Sequence, residues 1–443
     1  MDPMRHLAGG FAAFRRTALL GGALLLAGNP TAAMGQPALP PGDEWPEFRG
    51  PTGQGHSTAT NLPLEWSPTR NVAWKVRVPG LGWSSPVVSR GRVFLTADAP
   101  EAGAQHSLRA LCFDAATGRL LWNTEVFGDS EFREQPIHDK NSEASPTPVI
   151  EDNRLYVHFG HQGTACLDRS GAIIWRNNRA AYFDSVHGNG GSPILAGDQL
   201  IFNADGAEAA YVVALDKASG EIRWKRKRGL DAPQSFSFST PLLITVNGQA
   251  QIISPGSGAV FAVEPKDGRE IWRVRYGRGY SVVPRPVHGL GLLFVTTGFD
   301  RADLLAIRPD GRGDVTETHV AWRTTKGAPL TSSVLLFGED VYAVNDAGVA
   351  SCWDARTSEL YWQERLEGNY SASPIVAQGR IYFQNETGRC TVIKADRKFT
   401  KLATSDLEES TLASFAVADN SIFIRTEENL YRIGGGAPPD PAP

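Results

Sequence analysis

The feature that most constrains this chain is a short string that returns along it. Cys112-Phe-Asp114-Ala-Ala-Thr117-Gly118-Arg-Leu-Leu-Trp122 is followed by Cys166 to Trp175, Ala214 to Trp224, Ala262 to Trp272, Ala306 to Trp322 and Cys352 to Trp362. Each copy has a small residue, usually an acidic residue two places on, a turn and a tryptophan. The string is part of a larger unit, clearest in Ser192 to Trp224. That unit predicts four strands: Pro193 to Leu195, Gln199 to Asn203, Tyr211 to Leu215 and a fourth ending at Trp224. Gly197, Asp205-Gly206 and Ser219-Gly220 supply the tight turns between antiparallel strands.

A lone four-stranded meander cannot bury both faces, so such units must stack against copies of themselves. With Trp74 included, the tryptophans recur at roughly fifty-residue intervals, closing to about forty at the last. A seventh unit runs from Asn369 to Leu407 with Leu402 in place of the tryptophan. An eighth has three strands, Leu412–Phe415, Ser421–Arg425 and Leu430–Ile433. The strand Asn71–Val78 would complete it and leave no sheet edge open. The expected fold is all-β: an eight-bladed β-propeller of four-stranded antiparallel blades over 71–433, its ring closed by an N-terminal strand. Residue by residue the string resembles the tryptophan-docking motif of quinoprotein propellers, in which the indole wedges between blades.

The ends read differently. Arg5, Arg15 and Arg16 precede the apolar run Thr17 to Ala27, and small residues Thr31, Ala32 and Ala33 follow, the order of a secretory signal over 1–33. Phe14-Arg15-Arg16 also resembles a twin-arginine signal, which leaves the export route open between the two. The protein is expected to be exported from a bacterium, to the periplasm or beyond. No cysteine lies near the cleavage region to carry a lipid anchor. Residues 34–70, with Trp45, Phe48 and Trp66, are too apolar for a loose linker and are expected to pack on the propeller; 434–443 reads as a disordered tail. No later run is long enough to span a bilayer.

The net charge of −4 disfavours nucleic acid as a partner. One basic run, Arg223 to Arg228, falls on an outer strand, where charge discourages edge pairing. Three of the four cysteines share one repeat position with Ala214, Ala262 and Ala306, so they read as packing thiols rather than a disulfide or metal site. His158 and His161 are too far out of phase on a strand to chelate unless Gly160 bulges.

From Glu44-Trp45-Pro46 through Gly82-Trp83-Ser84-Ser85-Pro86, His187-Gly188-Asn189 and Ser254-Pro255-Gly256 to Asn369-Tyr370-Ser371, the chain resembles a group of exported, planctomycete-type proteins with pyrroloquinoline quinone-binding-like propeller repeats. The same repeat family includes quinoprotein dehydrogenases and the lipoprotein of the outer-membrane β-barrel assembly machine. The first implies a quinone held between a Trp and a disulfide of adjacent cysteines, with Ca²⁺ on carboxylate and amide ligands. The second implies a cofactor-free scaffold.

The residues before each inner strand gather, by propeller geometry, around one mouth of the channel. Trp83, Asn141, Glu143, His187, Asn189, Phe236, Tyr280, Arg285, Asn369 and Tyr370 are therefore the candidate ligand-binding residues. No catalytic or metal-ligating residue is assigned. There is no adjacent cysteine pair, and Glu143 is the single carboxylate in the series, too little for a cation that takes six or more oxygens. The expectation is a monomeric, non-catalytic binding propeller without a cofactor, whose partner is an envelope protein or a small molecule. The alternative is a dehydrogenase for alcohols or sugars that uses pyrroloquinoline quinone with Ca²⁺. Enlarged loops, Asp98 to Ser107 and Phe127 to Asn141 in the first blade and Gly298 to Asp303 and Asp310 to Thr318 in the fifth, are either surface loops with solvated charges or places where function departs from the repeat.

Overall fold

The computed structural model describes residues 44–101, 103–179, 186–229, 232, 234–299 and 301–435. The export segment expected over 1–33 and all of the tail beyond Gly435 lie outside the described residues. Eight sheets form the eight blades of a propeller, each of four antiparallel strands, with a short strand Gly313–Asp314 added in parallel to the outer edge of blade 4. The inner strands of blades 1 to 8 are Val87–Ser89, Val149–Glu151, Ile194–Ala196, Leu242–Val246, Val287–Gly289, Leu335–Phe337, Ile375–Ala377 and Ala416–Ala418. That of blade 8 adjoins that of blade 1, so the ring closes.

Blade 3 shows how the sequence makes each sheet. Its strands are Ile194–Ala196, Gln199–Asp205, Ala210–Asp216 and Ile222–Lys227. The fourth does not stop at Trp224, because pairing continues to Tyr211 opposite Lys227. The basic run is likewise not wholly on the surface: Arg228 turns inward to a buried ion pair with Asp205 at 3.0 Å. The inner strand of blade 8 is Ala416–Ala418 rather than Leu412–Phe415, since the residues before it line the channel.

The recurring string is the joint between blades. In blades 1 to 6 the small residue pairs directly with the tryptophan, and the register shifts one residue later. A bulge there twists the outer strand and turns the indole out of its own sheet. Trp74, Trp122, Trp175, Trp224, Trp322 and Trp362 then each donate Nε1–H to a backbone carbonyl in the turn of the next blade, at 2.9–3.2 Å. Under Trp74, Trp122, Trp175 and Trp224 lies the glycine of that turn, Gly118, Gly171, Gly220 and Gly268 in order. A Cβ on Gly268 would sit 2.6 Å from Trp224, and Gly268 has φ +69°. The turn itself is set by the acid: Asp114 Oδ1 accepts from the backbone N–H of Ala116 and Thr117 and from the Thr117 hydroxyl. Trp272 differs, since it donates to Gln251 of its own blade. Cys112, Cys166, Cys352 and Cys390 are buried and unpaired.

Blade 7 corrects one assignment. Leu402 does not take the tryptophan's place; the residue in register, opposite Val392 beside the bulge, is Ala403, and Leu402 is 40% exposed. The indole is supplied from outside the blade. Trp66 is buried and stacks on Tyr382 at 6.5 Å and 13°, with its backbone N–H on Ser405 Oγ at 2.9 Å. Tyr342 occupies the same strand position in blade 6 and tilts against that blade's own Trp362.

The strand Val72–Arg77 pairs with Asn429–Gly434 and so completes blade 8. Before it, residues 44–57 cross the end of the channel away from the links. Trp45 exchanges backbone bonds with Val88, Pro46 accepts from Ile150, Gln54 from His288 and Gly55 from Val376. Inner strands carry one row of backbone groups with no neighbouring strand, and this segment satisfies some of them. Arg49 reaches Val334 at 2.8 Å, and Arg285 holds the segment through the Phe48 carbonyl at 2.5 Å and Glu47 at 3.5 Å.

Candidate functional site

Seven of the eight links enter the inner strand through a hydroxyl followed by a short apolar run, often Ser-Pro or Thr-Pro. These hydroxyls form a belt around the channel. The N–H of Ser85 donates to Thr147 Oγ1, Thr147 to Ser192, Ser192 to Thr240, Ser333 to Ser373, Ser373 to Ser414 and Ser414 back to Ser85, at 2.9–3.1 Å. The belt breaks at blade 5, where Arg285 stands in the hydroxyl's place. Its N–H still donates to Ser333 Oγ, but its guanidinium turns down to Pro241, Phe48 and Glu47.

Above the belt lies a cavity of about 860 Å³, open at the mouth, with Phe48 of the plugging segment at its base. One wall is aromatic. His138, His187, Phe236 and Tyr280 follow one another edge to face at 5.4–5.8 Å, and Phe299 continues the series beyond Tyr280 at 5.7 Å. Such contacts fix ring orientation in addition to burying area. The facing wall is polar. Asp346 accepts from Leu330 N–H at 2.7 Å and Thr331 Oγ1 at 2.6 Å, and Lys140 bridges to Glu386 at 2.6 Å with Ser371 on the same oxygen.

Of the candidate residues, Trp83, Asn141, His187, Phe236 and Tyr280 line this cavity. The other five do not, each for a local reason. Asn189 is buried with its amide on His161 Nδ1 at 2.8 Å. Arg285 is 2% exposed and belongs to the floor. Asn369 is exposed outside the cavity, and its carbonyl accepts from Glu386 N–H. Tyr370 is buried in the core between blades 6 and 7. Glu143 sits behind the rim, where burial pushes its carboxyl up to about 7 despite the opposing pull of His106. His106 stacks on Phe132 at 3.6 Å and holds Asp98 at 2.7 Å. Burial alone would lower it, but the Asp98 contact, with Glu134 and Glu143, leaves it raised.

Asp346, Lys140, Phe238 and Phe299 line the mouth, and Glu386 stands just behind it on Lys140 and Ser371; none of the five is among the residues expected from the sequence. Asp346 and Glu386 carry a readable signal. They fill one repeat position, in Asn345-Asp346-Ala-Gly348 and Asn385-Glu386-Thr-Gly388, the turns after the second strands of blades 6 and 7. Glu143 is therefore not the single carboxylate at the mouth: it lies behind the rim, while Asp346 lines the cavity and Glu386 borders it. His158 and His161 do not share a ligand position either. Gly160 does turn the chain at φ +55°, but His158 Nδ1 contacts Thr164 at 2.8 Å while His161 faces Asn189 and the Arg133 carbonyl. Burial holds His158 down at about 3, with His161 adding to it. Among the described residues no group of three or more His, Cys, Asp or Glu is placed to hold a metal ion.

Comparison with known proteins gives one family. The family model described as "Outer membrane protein assembly factor BamB" matches residues 108–284 and 313–433. The BamB of Yersinia pestis is 24% identical over 296 residues, which is 66% of this chain and 61% of that protein's length. Among solved structures, BamB from Moraxella catarrhalis superposes with a TM-score of 0.59 at 13% identity, covering 82% of this chain and 97% of that one. A europium-containing methanol dehydrogenase superposes with a TM-score of 0.61 at 12% identity, over 86% and 89% of the two chains. At such identities these two structures share the fold.

The residues at the mouth do not suit the quinone and cation of the dehydrogenase type. All four thiols are buried inside blades, and the two mouth carboxylates already accept from Leu330, Thr331, Lys140 and Ser371. A cation taking six or more oxygens would have to displace these bonds.

Proposed function

Because the chain belongs to the family described as outer membrane protein assembly factor BamB, we propose that it is an exported, non-catalytic propeller acting as a protein-interaction scaffold in the cell envelope, with residues 1–33 as its export signal. The observation that carries this reading is the asymmetry of the channel. One end is filled by residues 44–57, whereas the other opens into a rigid aromatic-walled cup ringed by the enlarged loops of blade 1. A body with one sealed end and one apolar, open end presents a single face to a partner. No helix among the described residues is long and apolar enough to cross a membrane, which is compatible with a body that works beside one.

The test is site-specific photo-crosslinking in the native host. A crosslinker at Asp139, on the mouth, is expected to give a discrete adduct with an envelope protein, and one at Asp267, in a turn at the sealed end, none. The reading would be overturned if neither site gave adducts while purified protein bound pyrroloquinoline quinone with Ca²⁺ saturably and reduced a dye in the presence of an alcohol or sugar.

A further inference from the structure

The two most exposed large apolar side chains among the described residues are Leu81, 63% exposed, and Phe299, 51% exposed. Neither is on an outer strand. Leu81 bridges Asp98, and Phe299 bridges Tyr280. In each case a link residue pairs with the outgoing end of the second strand, at its last residue in blade 1 and just beyond it in blade 5. In a ring of eight those blades face each other across the channel. Apolar area is thus exposed at both ends of one diameter of the mouth, with the aromatic cup between them. A small molecule seated in the cup would leave one or both ends in water; an extended chain laid across the mouth would cover both, with a side chain dropping into the cavity.

Charge tells what the chain should carry. The blade 1 end is flanked by Asp129, Glu134 and Asp139, all exposed. Neither Asp129 nor Asp139 has an ion-pair partner among the described residues, and Glu134 meets only His106, at 3.6 Å. Of the cations in this link, Lys140 is committed to Glu386, and Arg133 turns to the carbonyls of His161 and Asn178. The loop crossing this side of the mouth is anchored by the His106–Phe132 stack and by Arg133 on the carbonyl of Asn178 at 3.1 Å, so its carboxylates stand together along one edge.

We propose that the open mouth is a docking groove for an extended segment of a partner protein. The segment has a bulky apolar residue for the cup and a Lys or Arg beside it for the acidic edge of blade 1. Aromatic anchors in a preformed pocket supply the affinity, and the carboxylates set direction and partner choice. This deepens the scaffold reading and rests on it.

Fluorescence anisotropy with labelled dodecapeptide pools tests the assignment on the purified full chain. Three pools share a Gly/Ser frame and differ at the centre: apolar with basic, apolar with acidic, and polar with basic residues. The apolar–basic pool is expected to bind saturably and best. Leu81→Asp and Phe299→Asp, both on exposed side chains, are each expected to weaken it at least tenfold. Asp139→Lys should do so by several-fold and remove much of the salt dependence. Unchanged melting of each variant keeps loss of fold apart from loss of binding. Equal binding of the three pools, or binding indifferent to substitution at both ends of the diameter, would overturn the groove. So would saturable binding of pyrroloquinoline quinone with no peptide preference. Crosslinks to an envelope protein that persist in the Leu81→Asp, Phe299→Asp double variant would retain the scaffold reading and reject this inference alone.

Discussion

At the scale of single residues, the blade joint depends on a glycine as much as on the tryptophan above it. Gly248 and Gly268 lie in blade 4 and both have left-handed backbones, with φ of +77° and +69°. Alanine at either position meets the same backbone cost, about 1 kcal/mol. They differ in what a methyl would touch: nothing within 4 Å at Gly248, and the face of Trp224 at 2.6 Å at Gly268. Gly268→Ala must push the ring from its seat or open the joint, which adds about 1–3 kcal/mol of overpacking. In chemical denaturation Gly268→Ala should therefore lose clearly more stability than Gly248→Ala. Equal losses would show that the turn conformation matters and the close approach does not. The hydrogen bond from Trp224 Nε1 to Pro265, at 2.9 Å, depends on the same seat.

At the scale of an element, the enlarged loops of blade 1 enclose a titrating cluster. Glu143 is faced by His106, Asp98, Glu134 and Gln162, and its Oε2 is buried without a hydrogen-bond partner. Its pKa rises from 4.5 to about 7 on folding, with burial as the main cause. Between those values the unfolded chain has released this proton while the folded chain keeps it, so stability falls as pH rises through the interval and stays lower above it. His106, raised above 6.5, acts in the same sense: its contribution is present at low pH and is lost as pH rises through its folded value. Buried histidines such as His158, held down at about 3, and His56, at about 4, act in the opposite sense below their unfolded value, so the readout is a difference between two proteins: as pH rises from 4.5 to 8, Glu143→Gln should gain melting temperature relative to the parent chain and be the more stable protein at pH 8. An equally steep profile in the variant would place the titration elsewhere. The sequence shows that these loops are unusual, because their length breaks the repeat, yet it misplaces Glu143 at the channel. Link residues alternate between the lumen and the gap behind it, and their phase depends on loop geometry that no repeat constrains. Asn189 and Tyr370 are misplaced for that reason, whereas Trp83, Phe236 and Tyr280 happen to fall on the lumen side.

For the whole molecule, the blade number and the closing strand are legible because stacking repeats leave a periodic trace and because three strands at one end require a fourth from the other. The role of the segment before that strand is not legible, since nothing in Glu44 to Arg70 repeats. Its Trp66 works in a blade more than three hundred residues away, where Ala403 leaves a space that no local pattern explains. The segment and the strand thus hold the ring in two separable ways. Removing residues up to Arg70 should leave blade 8 paired through Val72 to Arg77, while Tyr382 loses the indole stacked on it and the channel loses its floor. Loss of a buried tryptophan costs about 3–5 kcal/mol, so this truncation should remain monomeric with a lowered, still cooperative melt, and Trp66→Ala alone should account for a large part of the drop. Removing residues up to Arg77 is a different perturbation. It bares the edge Asn429–Gly434 and uncovers Ala115 to Gly118 in blade 1, where Trp74 now packs. An open apolar edge invites pairing with another chain, so the longer truncation should elute as oligomers or aggregate, without a single sharp transition. Size-exclusion chromatography and calorimetry on the two truncations distinguish these outcomes. A monomeric, cooperatively melting product from the longer one would mean that the ring holds without its clasp, by the stacking of seven blades alone.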